Sequence, residues 1–213
     1  MVNMEDKWLK ITETAEGKVL SGCSEEAYGD IVIPDGVTII GEYAFDVSKI
    51  ESITMPDSVT EIKDYAFFEC NNLKEVRLSN NLKTIGMGAF SWCTSLERIT
   101  IPDGTVSISD DVFCACEKLS YVYIPASVRS IGIFLGNKTY HECFWGCKSL
   151  KELHVLNDRA LLRLLDKHFP ATFRHADVAE CVLYTHSYER VEDFPPSRRR
   201  FAKRFKAIKK EPK

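Results

Sequence analysis

Apolar residues return along this chain in a fixed frame. Phe45, Phe67, Phe90 and Phe113 stand 22, 23 and 23 residues apart, and the same offsets carry Ile31, Ile53, Val76, Ile99 and Val122. A period of this length, held over several units, predicts a solenoid. Within a unit a leucine (Leu73, Leu96, Leu119, Leu150) precedes an alternating triplet, "VRL", "ITI", "VYI" or "LHV". Alternation with period two predicts a short strand whose first and third side chains face inward. Pro34, Pro56, Pro102 and Pro125 follow their strands and end them, because proline donates no ladder hydrogen bond. Val37, Val59, Leu82 and Val128 then re-enter the core. Ile40, Ile62, Ile85, Ile108 and Ile131 form a second buried row. The segment ending in "AF" is too short for a full helix and is expected to make one helical turn that carries Phe inward.

No unit of this kind buries its apolar side alone, so neighbours must stack and equivalent residues must form columns. Cys70, Cys93, Cys116 and Cys147 each stand three residues after a repeat Phe. They make one buried column of small apolar fillers, and in-register stacking does not offer disulfide geometry.

The quoted segments "IPDGVTIIGEYAF" (Ile33–Phe45), "CNNLKEVRLSNNLKTIG" and "CTSLERITIPDG" resemble leucine-rich repeats of the BspA type over roughly Ile31 to Val155. The resemblance implies an α/β chain coiled as a right-handed solenoid with a parallel sheet on its concave face. It also implies a recognition module, often on cell surfaces, and brings no catalytic residues and no cofactor.

The expected organisation is a capping hairpin over 1–30, about five repeat units over 31–156, a C-terminal α+β cap over 157–196 and a basic amphipathic helix or tail over 197–213. The fifth unit departs from the frame. Thirteen residues separate Ile131 from Phe144 where five separate Ile108 from Phe113, so an insertion lies at 132–141. Its Phe134 and Tyr140 offer an apolar projection. "NDRALLRLLDKHFP" predicts a capped amphipathic helix ending at Pro170. "ECVLYTHS" predicts a strand with no assigned neighbour.

Candidate contact residues are those that vary along the outward strand positions. Arg77, Arg98, Tyr121, Tyr123 and His154 enrich the C-terminal half of the concave face, and Tyr and Arg are favoured at binding hot spots. Glu75 beside Arg98 suggests a cross-strand ion pair. His141, Cys143 and Cys147 are close in sequence, but Cys147 already has a column role, so no metal site is expected. No phosphate loop, dinucleotide fingerprint or nucleophile elbow is present, and the reading is non-enzymatic.

Charge adds one asymmetry to the net −3 of the 213 residues. Residues 197–213 carry nine Lys and Arg against one Glu, leaving 19 basic and 30 acidic residues in the body. Arg198, Arg199, Arg200, Lys203, Arg204 and Lys206 surround Phe201, Phe205 and Ile208. Three readings of this tail stay open: packing on the acidic body, docking on an anionic membrane, or touching nucleic-acid phosphates. The acidic body and missing motif argue against nucleic acid. The expected protein is a monomer that binds a protein or peptide; the alternative is a scaffold anchored by the basic tail. The N-terminus "MVNMEDKWLK" has no apolar signal region, so a cytoplasmic location is expected as written, or the cell surface if an export signal has been removed.

Overall fold

The computed structural model describes residues 7–132, 143–158, 160–161 and 181–211. The insertion residues Phe134 and Tyr140 and most of the helix expected over 157–170 lie outside the described residues. Asn157 does act as the expected cap: its Oδ1 accepts from the Ala160 N–H at 3.2 Å and its carbonyl from Leu161 at 2.9 Å.

The chain coils so that each unit adds one rung to two sheets. The concave sheet contains β3 (Tyr28–Val32), β5 (Lys49–Thr54), β7 (Glu75–Arg77), β9 (Arg98–Thr100), β11 (Tyr121–Ile124), β13 (Glu152–Val155), β14 (Val182–Thr185) and β15 (Ala207–Lys210). These strands run parallel and in register, with Val122 opposite Ile99 and Leu153. The second sheet is built from two-residue strands: β4 (Ile39–Ile40), β6 (Glu61–Ile62), β8 (Thr84–Ile85), β10 (Ser107–Ile108) and β12 (Ser130–Ile131). The second buried isoleucine row is therefore a hydrogen-bonded sheet as well as an apolar column. The hairpin of β1 (Leu9–Thr14) and β2 (Gly17–Cys23) covers its first edge, with Leu20 of β2 paired to Ile40. This covers the edge of β4 and makes β1, with its charged and exposed side chains, the outer strand of the sheet.

The third side corrects the sequence reading. The expected helical turn is instead a pair of tight bends. Tyr43, Val47, Tyr65, Glu69, Trp92, Asp111 and Ala115 all have φ between 54° and 62°. These residues share two columns with Gly88 and Gly146 (φ +59° and +74°). The physical reason is a third ladder between coils: Phe45, Phe67 and Phe90 donate their N–H to Ala66, Ala89 and Val112 carbonyls at 2.7, 2.8 and 3.0 Å. Alternate N–H groups point to the next coil, which helical φ/ψ values would forbid. A non-glycine residue in the left-handed region costs roughly 1–2 kcal/mol, and the ladder imposes that cost at each turn.

The core is a set of straight columns. Phe45, Phe67, Phe90, Phe113 and Phe144 stack with centroids 4.9, 5.1, 6.2 and 5.7 Å apart and are all at most 1% exposed. The cysteine column is buried as expected, and it does more than fill space. Cys70, Cys93, Cys116 and Cys147 donate their thiols to the carbonyls of Phe45, Phe67, Phe90 and Phe113 at 3.0, 3.2, 3.1 and 3.2 Å. All eight cysteines are free thiols.

The concave sheet has one discontinuity. Strands β3, β5 and β7 form one hydrogen-bonded group, and β9, β11, β13, β14 and β15 form another. Met55 and Ile101 donate N–H groups to the carbonyls of Arg77 and Tyr123, both at 2.9 Å. The equivalent Leu78 N–H makes no such bond to Thr100 among the described residues.

The last coil departs most from expectation. The helix in the basic tail, α1, spans only Pro196–Ala202. The chain then runs as β15 beside β14, with Lys206 N–H on the Cys181 carbonyl and Glu211 N–H on the Thr185 carbonyl, both at 2.8 Å. The edge of β14 offers unpaired backbone groups that a continued helix would leave without partners. Phe205 (7% exposed) and Ala202 (0%) are buried, and Phe201 and Ile208 pack against the same core.

Candidate interaction surface

The second side chain of each concave triplet, and the one two residues before it, face away from the core, so the sheet displays two residues per rung in aligned columns. Pairing places Tyr121 opposite Arg98 and Glu152, and His154 between Tyr123 and Tyr184. The strand that had no assigned neighbour, β14, thus brings Tyr184 onto the candidate surface.

The rings form a contiguous cluster. His154 and Tyr184 stack at 4.1 Å with 2° between their planes. Tyr121 and Tyr123 lie 5.1 and 5.9 Å from the His154 ring, tilted by 45° and 42°. His154 is only 7% exposed, although it points to the outer face of the sheet. Its Nδ1 is 2.8 Å from Oε2 of Glu211, and its Nε2 is 3.5 Å from Oε2 of Glu152. Cations flank the rings: the Arg98 Cζ sits 4.9 Å from the Tyr121 centroid and the Lys209 Nζ 5.8 Å from that of Tyr184, both within cation–π range. Burial raises the pKa of the Tyr121 phenol above the usual range, with the Glu211 carboxylate adding to the effect, and raises that of Tyr123 likewise, with Asp103 and then Glu211 adding. Both phenols therefore stay protonated at neutral pH.

Four of the sequence-derived residues, Arg98, Tyr121, Tyr123 and His154, come together here. Arg77 is exposed on β7, across the discontinuity. The expected Glu75–Arg98 pair does not form, and Arg98 turns to Tyr121 instead. An exposed ion pair is worth little, and a ring face on the neighbouring rung competes with it. Tyr184, Lys209 and Glu211 were missed. The signal for Tyr184 was present in "VLYT", which repeats the alternation of "LHV" outside the 22–23-residue period, whereas "AIKK" and Glu211 carry none.

The basic tail residues lie on α1 and the segment leading to β15. Arg199 donates Nε to the Phe194 carbonyl at 3.0 Å and Nη2 to the Glu192 carbonyl at 2.7 Å, tying α1 to the turn before it. Arg198 donates Nη1 to the Ser197 hydroxyl at 3.1 Å. Arg200, Lys203, Arg204 and Lys206 are exposed. Cys143 and Cys147 are buried, and burial raises the pKa of both thiols well above the usual thiol range. His141 lies outside the described residues. Among the described residues no helix is long and apolar enough to cross a membrane.

Stacked parallel rungs, four of them led by Leu73, Leu96, Leu119 and Leu150, define a leucine-rich-repeat solenoid. The sequence profile of the BspA type leucine rich repeat region matches residues 21–151 in six copies, one more than the repeat register alone suggests. The chain belongs to the BspA-type leucine-rich repeat family.

A leucine rich cell surface protein from Faecalibacterium prausnitzii is similar to it at 29% identity, with a TM-score of 0.63 over 73% of this chain. The chain spans only 40% of the length of that protein. The T. pallidum leucine rich repeat protein matches at 23% identity and a TM-score of 0.64, over 96% of both chains, and shares the fold. No curated protein matches the chain.

Proposed function

We propose that this protein is a non-enzymatic recognition module that binds a protein or peptide across the C-terminal half of its concave sheet. The observation that carries this reading is the Tyr121–Tyr123–His154–Tyr184 cluster. Aromatic groups are collected on the outer face of the sheet, where they add nothing to the repeat core. Solenoids use such extended faces for binding, and Tyr and Arg dominate binding hot spots. The similarity to a cell surface protein supports a role in surface recognition. The alternative of a membrane anchor in the basic tail is less well supported, because Phe205 and Ala202 are already buried against the body.

The test is a pull-down from the native host with the intact chain, repeated with Tyr121→Ala and Tyr123→Ala. A true partner is retained by the unaltered chain and lost by both variants, while their thermal unfolding stays nearly unchanged. Retention of the same partner by both variants overturns the reading.

A further inference from the structure

We infer that the concave stretch from Arg98 to Lys209 takes an extended acidic peptide segment. This rests on the reading above that the concave face is the recognition surface, and it names the chemistry of the partner.

Hydrogen-bond and charge accounting carries the inference. Two carboxylates beside the aromatic cluster are turned onto His154, with Glu211 at 2.8 Å from Nδ1 and Glu152 at 3.5 Å from Nε2, and the exposed Asp103 lies toward Tyr123. The donors are left over. The guanidinium of Arg98 lies on a ring face and meets no carboxylate within 4.0 Å among the described residues. The Lys209 ammonium is in the same position over Tyr184. The hydroxyls of Tyr121, Tyr123 and Tyr184 have no hydrogen-bond partner among the described residues. The surface thus offers two cations and three phenol hydroxyls, while Glu152 and Glu211 are already engaged on His154 and Asp103 stands only at the Tyr123 end. An acceptor-rich, anionic ligand complements that set, since charge-assisted hydrogen bonds are the strong ones. Glu75, exposed on β7, bounds the site on the N-terminal side and repels a further acidic residue there.

Length points to a peptide. Arg98 and Lys209 stand on β9 and β15, four rungs apart in a continuously paired sheet. At about 4.8 Å per rung that is about 19 Å, the span of about six extended residues. The rings between the two cations present a firm surface for the middle of such a segment.

The experiment probes an array of random eight-residue peptides with the full chain and with the R98Q/K209Q and Y121A variants. The retained sequences are then measured by fluorescence anisotropy at low and high salt. Enrichment of Asp and Glu is expected, with binding weakened by salt and roughly tenfold or more weaker in R98Q/K209Q. Neutral or basic peptides retained by the unaltered chain and lost in Y121A overturn the acidic chemistry but leave the concave recognition face standing. Acidic peptides that bind R98Q/K209Q as tightly as the unaltered chain, or that compete no better than oligothymidylate of equal charge, overturn the inference. So does an array that retains nothing. Matching thermal unfolding curves confirm that each variant is folded.

Discussion

The Cys116 thiol donates a hydrogen bond to the Phe90 carbonyl at 3.1 Å, one coil back. Ser48 occupies the equivalent slot in the first coil, with its hydroxyl 3.5 Å from the Cys70 sulfur. The column therefore requires a small side chain that can donate. Cys116→Ala leaves a buried carbonyl without its donor and a small void, and should cost about 1–3 kcal/mol in urea unfolding. Cys116→Ser keeps a donor and should cost less than Cys116→Ala. An equal or greater loss for serine would show that only volume matters.

The same burial sets a response to alkali. Burial pushes the Cys23 thiol up to about 11 and that of Cys181 to about 12, and raises Cys93 and Cys147 as well. Above about pH 9 the unfolded chain loses these protons while the folded chain keeps them, so the unfolded state binds fewer protons and stability falls as pH rises. Stability should be unaffected by these thiols below about pH 8. It should then drop by up to about 1.4 kcal/mol per pH unit for each such thiol, between about pH 9 and the raised folded values. Alkylation by iodoacetamide at pH 8 should label Cys93, Cys116 and Cys147 only in denaturant. Rapid labelling of the native chain would contradict the column.

Gly88 illustrates the cost of the third ladder. A Cβ built there would stand 2.5 Å from Cε1 of Tyr65, in a backbone at φ +59°. Gly88→Ala should therefore destabilise by more than about 1 kcal/mol. Gly22 is the control: a Cβ there meets only the Lys10 Cβ at 4.0 Å, and Gly22→Ala should be close to neutral. Thermal melts of the two variants compare them directly.

The break between β7 and β9 should appear in hydrogen exchange. Met55 and Ile101 N–H groups are tied to the next coil, and that of Leu78 is not. Leu78 should exchange faster than either under native conditions, because local opening there needs no ladder bond to break. Equal protection at the three positions would mean that the sheet is continuous in solution.

Phe205 holds the basic tail to the body. Phe205→Ala should cost about 3 kcal/mol or more and release β15, which NMR shifts of residues 207–210 would report. An unchanged melt would return the tail to the status of an independent appendage.

Much of this molecule is legible in the sequence because each core residue has one job at one offset. The columns of Phe, Ile and Cys can be read as a period, and stacking turns period into position. Tyr184 and Lys209 escaped because they lie 30 and 25 residues beyond their neighbours in the sheet. Strand pairing fixes the register whatever the number of residues between strands, so the rungs continue after the period has stopped. The left-handed bends escaped for another reason. Tyr43, Val47 and Trp92 carry no glycine-like signal, and only the hydrogen bonds between coils force their conformation. The choice made by Arg98 between Glu75 and Tyr121 was equally hidden, since both lie one rung away.

Glu211 lies one residue beyond the final strand, yet its carboxylate holds an imidazole two rungs back. The order of synthesis therefore matters to the surface. As the chain emerges from the ribosome, the rungs bearing Tyr121, Tyr123 and His154 can stack long before residue 211 is made. Until residues 207–211 arrive, that histidine lacks its closest acid and β14 is a bare edge. A chain interrupted before them would carry stacked repeats behind an unfinished face.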